Sequence, residues 1–505
     1  MAGGMEYAAA TLTVALLLII LFKMNWSSGL CPPVAATVIG MMINFKLLHD
    51  FILHHHRRYK TYRIAYPTFS YVLTTDPANV EHILRSNFAN YVKGKSHHDV
   101  MEDLLGDGIF SVDGELWRQQ RKIASFEFST KVLKDFSSVV FRENAVKLSK
   151  ILLENFRTKQ TVEMQGLLLR STMDGFCKLG FGVDINSLTN TNSGAEASFA
   201  MAFDTANSLL MWRYFDVAWK LKRYFNFLSE ATMKDNIKTV DDFVYKVIHS
   251  RKQEVSVQNN YVKPDILSRF IALSEKHPES YSDKYLRDII LNFMVAGREA
   301  TAVTLCWFFH LLCKNPDVEE KLLQEIRDLV KEKECVSIEE SISMFSQSLT
   351  HTVLDKMHYL HAALTESLRL HPAVPMDGKY VVSDDILPDG FKIKKGDMIN
   401  YVPYSMGRMT YLWGNDAEEF KPERWLQNGI FQPQSPFKFT AFQAGPRICL
   451  GKDFAYMQMK IFASVLVRFF KFEAVEDKEV KYRPSTTLHM TEDGLNLRLK
   501  PRLDF

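Results

Sequence analysis

The pattern of hydrophobic and polar positions changes twice along the chain and predicts helices flanked by short strands. The segment YRIAYPTFSYVLT, 62–74, has the alternation typical of β-structure, whereas helical patterns run from about residue 77 to 371. Residues 376–410 return to β-branched alternation with the turn signals LPDG and KKGD, and a last helical pattern then leads to terminal strands. Helix dominates, so we predict one large, mainly α (α+β) domain over 60–505.

The N-terminal stretch predicts a membrane segment. No charge lies between Glu6 and Lys23, and a spanning helix needs about 20 apolar residues, so residues 1–23 are predicted to be a transmembrane anchor. A cleaved signal peptide is the alternative, which the lack of positive charge before the apolar run disfavours. Basic residues follow the run, which places the remaining chain in the cytosol.

Residues 24–59 are interpreted as a connector. Met24 to Phe45 is uncharged and predicts an interfacial segment, with a second membrane segment as the alternative. The sequence HHHRRYK at 54–60 indicates a basic patch facing solvent or lipid headgroups, with a metal-binding tract as the alternative.

The segment LNFMVAGREATAVTLCWFFHLL, 291–312, is apolar on nearly every face. It predicts a helix from Ser282, a plausible N-cap, to about Cys313, with Asn315-Pro316 ending it. Roughly 30 residues at a rise of 1.5 Å make a helix about 45 Å long, which should run through the middle of the domain. Polar residues inside it need partners or a function.

Composition narrows the class of protein. The 505 residues are 47% hydrophobic and 24% charged with a formal net charge of +3, an ordinary globular balance. No basic stripe interleaves with aromatic residues, so nothing indicates nucleic-acid binding. The six cysteines are widely scattered and form no CxxC pair, which favours a reducing compartment.

The stretch FQAGPRICLG, 442–451, carries the strongest chemical signal. Gly445 permits a turn, Arg447 supplies a cation, and a following helix offers its positive end, so we expect a lowered pKa for Cys449. A thiolate would then ligate a metal or attack a substrate. Gly451 removes bulk beside the sulfur. A lone cysteine is usually a core residue, but its spacing from Phe442 and these neighbours favours a functional role.

The pattern F-x-x-G-x-R-x-C-x-G resembles the haem-binding signature of the cytochrome P-450 monooxygenases, and the resemblance extends from about residue 60 to the end. ESLR, PERW and WRQQR agree with it in order and spacing. The resemblance implies that Cys449 is the axial thiolate of a haem b iron. It also implies a buried ionic triad of Glu366, Arg369 and Arg424. Contacts to the haem propionates are implied for Trp117, Arg121 and Arg447. Alone, Glu366 and Arg369 would be an ordinary surface pair.

The sequence AGREATA, 296–302, lies where the family has its oxygen-activation motif. The resemblance implies that Ala296 and Gly297 leave room for dioxygen and that Glu299 supplies protons, while Arg298 points away. The alternative is that both charged residues have structural partners, Glu299 a buried cation and Arg298 a surface acid.

The sequence departs from the family at Ala300, where an alcohol usually follows the acid. Thr301 is the candidate substitute, but successive helical residues are about 100° apart. Its hydroxyl could instead bond back to a carbonyl one turn earlier. A water chain or a polar group of the substrate also remains open as the proton relay.

Three stretches, 74–94, 107–128 and 371–380, resemble the plant fatty-acid ω-hydroxylase branch specifically. This implies terminal hydroxylation of a long-chain fatty acid, which requires the chain to be held end-on. The implied pocket residues are Phe110, Ser111, Val374, Pro375 and Met376. The segment 208–225 with Arg213 is a candidate entrance, with core packing and membrane contact as the alternative.

The sequence contains no flavin or nicotinamide fingerprint, so electrons must come from a separate partner. The resemblance implies an NADPH-dependent flavoprotein reductase, the endoplasmic reticulum membrane and a cytosolic catalytic domain. Candidate reductase contacts are Arg118, Lys122, Lys438 and Lys452. Three other functions stay open: a haem-thiolate hydroperoxide isomerase or dehydratase, a monooxygenase of another lipophilic substrate, and a non-catalytic haem- or lipid-binding protein.

Overall fold

A computed structural model describes residues 31–502 except 66–69, 190–193, 215, 217, 258–262, 277–280, 332–336, 476–479, 484 and 492–493. Helices dominate the described chain. The α-helices are α1 Val38–Ile43, α2 Leu48–His56, α3 Pro77–Glu81, α4 Gly94–Leu105, α5 Gly114–Ser129, α6 Lys131–Arg157, α7 Met164–Phe181, α8 Ala195–Arg213, α9 Trp219–Phe225, α10 Ser229–Val257, α11 Ile266–Lys276, α12 Asp283–Lys314, α13 Pro316–Leu329, α14 Ile338–Ser348, α15 His351–Lys356, α16 His358–Leu370, α17 Pro403–Met406, α18 Thr410–Trp413 and α19 Lys452–Phe469.

The strands are short and form small sheets. They are β1 Val34–Thr37, β2 Thr61–Ala65, β3 Ser70–Thr74, β4 Tyr91–Val92, β5 Val162–Glu163, β6 Asp377–Val381, β7 Asp385–Ile386, β8 Lys392–Ile393, β9 Met398–Tyr401, β10 Leu426–Gln427, β11 Ile430–Phe431, β12 Phe470–Ala474 and β13 Asn496–Pro501. The largest sheet has the order β1-β2-β3-β9-β6-β4. The predicted mainly helical α+β architecture is confirmed.

Sheet pairing joins distant parts of the sequence. The hairpin β2–β3 is antiparallel, with Thr61 opposite Thr74, and β3 then pairs in parallel with β9. Strand β6 pairs antiparallel with β9, so the segment after α16 returns to the N-terminal sheet. This arrangement places the residues of β6 beside the loop that precedes Cys449, since Tyr401 on β9 and Gln443 are hydrogen bonded.

Helix α12 runs through the core, as its sequence predicts. The Ser282 hydroxyl accepts a hydrogen bond of 3.2 Å from the Tyr285 N–H and caps the helix, and Pro316 begins the next helix. In the described chain α12 is the one helix long and apolar enough to cross a membrane, but 78% of its apolar window is buried in the protein. It is therefore a core helix, because its apolar surface is already covered by neighbouring elements.

Part of the predicted connector belongs to the folded domain. Strand β1 pairs in parallel with β2, and α2 buries Leu48, Ile52 and Leu53 in the main core. The boundary drawn at residue 60 is therefore too late, because residues 34–56 supply a strand and a core helix. The alternative of a second membrane-spanning segment over 24–45 does not fit residues 34–43, which form β1 and α1. The predicted anchor, 1–23, lies outside the described residues.

The segment HHHRRYK divides between the core and the surface. His56 is buried against the Tyr62 ring at 4.7 Å, and burial lowers the pKa of His56 to about 3. Arg57, Arg58 and Lys60 are exposed. The expectation of a solvated basic patch is thus correct for these three cations and wrong for His56. No group of three metal-binding side chains is found among the described residues.

Candidate functional site

Cys449 lies in a tight loop before α19. Its backbone N–H donates a 2.8 Å hydrogen bond to the Phe442 carbonyl, which closes the loop. Gly445 has φ +63°, and a Cβ there would overlap the carbonyl oxygen of Leu84, so only glycine fits. At Gly451 a Cβ would lie 3.9 Å from the sulfur, an ordinary contact distance. Glycine is therefore required more strictly at position 445 than at position 451.

The protonation of Cys449 differs from the sequence prediction. Burial raises the pKa of the thiol above its ordinary value, and this outweighs the opposing effects of the Gly451 N–H, Arg121 and Lys452. The expected lowering by the following helix is therefore wrong, because it omits desolvation. Protein atoms surround the Cys449 thiol closely enough to desolvate it, but part of the residue's surface stays accessible. A bound metal ion would itself deprotonate the thiol.

Two arginines approach the cysteine loop. Arg447 donates a 2.6 Å ionic hydrogen bond to Asp113, and its guanidinium lies 4.4 Å from the centre of the Trp117 ring. Its Nε atom is buried without a hydrogen-bond partner among the described residues. Arg121 lies close enough for the charges of Arg447 and Cys449 to affect its pKa, which burial lowers. In the described chain Arg121 has no carboxylate partner, so the site contains an excess of positive charge.

Sequence reasoning missed two lysines beside this group. Lys93 and Lys379 both contact Asp377, at 2.7 and 2.5 Å. Lys379 is buried on β6, and burial, with Lys93 and Arg447 nearby, lowers its pKa to about 7 despite Asp377. A lysine two residues after an aspartate, at an inward position of a strand, is the signal that could have identified it. These lysines and Asp377 lie near Arg447, whose pKa Asp377 raises against the effect of burial.

The predicted triad comes together around one carboxylate. Glu366 accepts two 2.7 Å hydrogen bonds from Arg369, one of 3.3 Å from Arg424 and one of 2.8 Å from the Trp425 indole. The side chains of Glu366 and Arg369 are fully buried. Arg369 also donates to the carbonyls of Gly407, Ala417 and Glu419. Glu366 and Arg369 are therefore part of a buried hydrogen-bond network and do not form a surface i,i+3 pair.

One face of α12 is open although the helix lies in the core. Ala296 is exposed and Ala300, one turn later, is half-buried, whereas Thr301 is buried. Thr301 is about 100° from Ala300 around the helix and belongs to another face. The threonine that bonds back is Thr304, whose hydroxyl donates to the Ala300 carbonyl at 2.7 Å. The position of Thr301 therefore disagrees with a role on the open face.

Gly297 has a different role from the one expected. A Cβ at this position would lie 2.8 Å from Cδ2 of Phe176 on α7, so the glycine allows α7 and α12 to approach closely. The room it leaves is filled by the Phe176 ring. Open space on this side of α12 is provided by Ala296 and Ala300 instead.

Arg298 points away from the open face, as expected, and pairs with the partly exposed Asp204 on α8 at 2.8 Å. The structural alternative is correct for this residue, because its partner is a surface acid. The Arg298 guanidinium is itself buried.

Glu299 is buried among polar partners from α8 and from the C-terminal part of the chain. It accepts hydrogen bonds from Asn207 Nδ2 at 2.7 Å and from Thr487 Oγ1 at 3.1 Å, and His489 Nε2 lies 3.6 Å away. Burial raises the pKa of Glu299, but His489, Arg298 and Thr487 together lower it below its ordinary value. The carboxylate is therefore held as an anion at the edge of the open face.

The comparisons with known proteins agree with this geometry. The sequence model of the family named cytochrome P450 matches residues 31–499. The chain belongs to the cytochrome P450 family. Cytochrome P450 704C1 of Pinus taeda is 60% identical over 95% of this chain and 94% of the relative. Cytochrome P450 704B1 of Arabidopsis thaliana is 48% identical, over 93% and 94%, and cytochrome P450 86B1 of the same plant is 42% identical, over 87% and 79%.

As a P450 the protein is an oxidoreductase, a monooxygenase that uses haem iron with a cysteine thiolate and takes electrons from a separate reductase. The charges around the cysteine loop fit haem. Four basic side chains and two carboxylates meet there, so basic groups outnumber acidic ones by two, and two propionates would stabilise the charged form of these basic groups. The basic side chains are Lys93, Arg121, Lys379 and Arg447, and the carboxylates are Asp113 and Asp377.

The predicted pocket residues are only partly accessible in this P450. Phe110 is 39% exposed, and Val374 and Met376 are half-buried. Pro375 is buried, and its carbonyl accepts a 3.2 Å hydrogen bond from the Tyr404 N–H. Ser111 is buried, with no partner for its hydroxyl among the described residues. The accessible members of the set are therefore the apolar ones.

Arg213 does not provide a free cation at the predicted entrance. It is buried and makes 2.6 Å ion pairs with both Asp103 and Glu230. Its charge is already neutralised by two acids, so the alternative of structural packing is correct for this residue.

The candidate reductase contacts lie mostly at the surface. Arg118, Lys122 and Lys452 are exposed, and the half-buried Lys438 ammonium lies 4.2 Å from the centre of the Trp413 ring. Three of the four side chains can therefore meet a partner without rearrangement.

Removing the carboxylate of Glu366 should destabilise the protein strongly. In Glu366→Ala the buried Arg369 would lose its counter-charge, and breaking a buried pair in this way costs about 3–5 kcal/mol. We expect a matching loss in the free energy of unfolding, measured by urea denaturation with a haem-absorbance probe.

Glu115→Ala is the matched control, since it breaks an exposed i,i+3 ion pair with Arg118. Its free energy of unfolding should change by less than about 1 kcal/mol. Equal losses in the two variants would contradict a dominant role for the Glu366 network.

Proposed function

We propose that this P450 hydroxylates long-chain fatty acids at or near the methyl end. The observation that carries the proposal is the apolar character of the accessible side chains beside α12 and in the loop before α5. They include Ala296, Ala300 and Phe110, with Val374 and Met376 half-buried. An alkyl chain suits such a lining, because covering these apolar side chains desolvates no polar atom of their own.

Holding the substrate end-on is the main task of the residues that line this space. A terminal methyl C–H bond is stronger than those of the next carbon, so the reaction at the end depends on positioning. When haem is bound through Cys449, it supplies the oxidising chemistry. Lys93, Arg121, Lys379 and Arg447 would hold its propionates, while Phe442 and Gly445 fix the cysteine loop. Ala296 and Ala300 leave room beside α12, and apolar walls exclude water.

Glu299 is proposed as the proton-donating side chain. It borders the open face of α12 and is buried beside donors that hold its carboxylate in place. The usual alcohol is replaced by Ala300, and Thr301 lies on another face. A water or a polar group of the substrate therefore completes the path from Glu299 in this proposal.

A set of exposed apolar side chains supports a membrane location. Some of these side chains lie in 42–47, and the others run from the end of α8 to the start of α10. The Phe45 and Trp212 rings, 5.5 Å apart, connect the two groups. Large exposed apolar surfaces mark interaction sites. We propose that this surface lies on the endoplasmic reticulum membrane, with residues 1–23 as a single-pass anchor and the catalytic domain in the cytosol. The set comprises Met42, Ile43, Leu47, Trp212, Leu221, Tyr224, Phe225, Phe227 and Leu228.

Product identification with a panel of fatty acids tests the substrate proposal. The purified protein, reconstituted with an NADPH-dependent reductase, should convert long-chain acids mainly to ω-hydroxy acids. Short-chain acids serve as the matched control, because they bury less apolar surface and should react more slowly. Oxidation confined to mid-chain carbons would contradict the proposal. Conversion of a fatty-acid hydroperoxide without NADPH would favour an isomerase or dehydratase instead.

Replacing Ala300 by threonine should improve the coupling of NADPH oxidation to product. The new hydroxyl would face the open side of α12, next to Glu299. A fully positioned proton donor contributes about a hundredfold or more. Glu299 already acts here, so we expect a smaller gain, roughly tenfold or less. The measurement is the ratio of product formed to NADPH consumed.

Thr301→Val is the matched control, because Thr301 lies on another face of α12 and its loss should leave this ratio unchanged. An unchanged ratio in Ala300→Thr together with a collapse in Thr301→Val would show that Thr301 provides the relay.

A further inference from the structure

The C-terminal segment 487–490 is fixed in place beside Glu299. The Leu488 N–H donates to the Ala373 carbonyl at 2.9 Å, and the Leu488 carbonyl accepts from the Trp307 indole at 2.7 Å. The Met490 N–H donates to the Gln165 side chain at 2.8 Å. Contacts with three separate elements therefore hold this short segment, and with it His489, in one position against α12.

His489 differs in kind from the other partners of Glu299. Asn207 and Thr487 are neutral donors that already satisfy both carboxylate oxygens. His489 adds a titratable ring, only 4% exposed, whose Nε2 lies 3.6 Å from Oε2 of Glu299. Its Nδ1 is buried and has no hydrogen-bond partner among the described residues. Burying such a ring is costly when one nitrogen is unpaired. Among the described residues, Glu299 is the one ion-pair partner of the His489 side chain.

The charged surroundings of the pair are defined by three helices. Arg298 on α12 faces Asp204 on α8 and lies near Cys177 on α7. His489 and Arg298 both lower the pKa of Glu299, so the carboxylate stays ionised in spite of its burial. An anion of this kind can supply a proton to the open face only if a nearby acid first protonates it.

We propose that His489 is the positioning residue that reloads Glu299 with protons. The Nε2–H bond of the imidazolium breaks and an O–H bond forms at Oε2, which leaves a neutral imidazole and a neutral carboxylic acid. Glu299 then releases this proton towards the open face of α12, and the neutral imidazole of His489 regains a proton from a hydronium ion of the solvent, which becomes water. The step involves no change in oxidation state. It rests on the proposed role of Glu299 in proton supply.

The first test measures protonation rather than activity. Infrared spectra of the haem-loaded protein, recorded across a pH titration, report the C=O band of a protonated buried carboxyl, which Glu299→Gln identifies by its absence. In His489→Phe the titration midpoint of this band should rise by roughly one to three pH units, because a cationic neighbour within about 4–6 Å is lost. An unchanged midpoint would overturn the proposal.

The second test separates proton transfer from simple support. His489→Gln keeps a side-chain donor but cannot carry a proton, so the yield of product per NADPH should fall several-fold and lose its dependence on pH. His54→Gln changes an exposed histidine of α2 and should leave both unchanged. Full activity with an unaltered pH profile in His489→Gln would overturn the proposal, since any hydrogen-bond donor would then suffice.

Glu299→Gln distinguishes this proposal from the one on which it rests. If that variant couples NADPH to product like the wild type, the proposed role of Glu299 fails. If coupling falls in Glu299→Gln but not in His489→Gln, Glu299 acts with another proton source and only the assignment of His489 is overturned.

Discussion

The geometry of the haem site depends on the hydrogen bonds that the buried carboxylate of Glu366 accepts. It accepts hydrogen bonds from Arg369, Arg424 and Trp425, and Arg369 in turn binds three backbone carbonyls between residues 407 and 419. This network ties α16 to the irregular chain that leads to the cysteine loop. An irregular segment has few hydrogen bonds of its own, so charged side chains must satisfy its backbone.

The two sides of the proposed site differ in polarity: the cysteine side is rich in buried charged groups, and the α12 side presents small apolar side chains. On the cysteine side, desolvated cations exceed carboxylates, and burial lowers the pKa values of Arg447 and Lys379. Such a site is completed by an anionic group such as the haem propionates. On the α12 side, Ala296 and Ala300 present no polar atom from their side chains. Arg298 is turned towards Asp204, and the Glu299 carboxylate is held by Asn207 at the edge of the open face. Charge thus holds the cofactor, while small apolar side chains leave room for substrate and oxygen.

Sequence reasoning predicted what local signals determine. It identified the cap at Ser282, the core helix, the triad and the cysteine loop, because each has its residue types at fixed spacing. It could not predict contacts that only the tertiary fold creates. Lys379 meets Lys93 and Asp377 through pairing of β6, and Thr487 reaches Glu299 across 188 residues. The pKa of Cys449 was predicted in the wrong direction, since desolvation depends on packing that no local motif contains.

The carbon monoxide difference spectrum of the reduced protein tests the central claim most directly, namely that Cys449 is the thiolate ligand of haem iron. The wild type should show the absorption band diagnostic of thiolate ligation. Cys449→Ser should lose that band, whereas Cys177→Ser, which changes a buried core cysteine, should retain it. A Cys449→Ser protein that keeps the thiolate band would contradict the account, because another residue would then hold the iron.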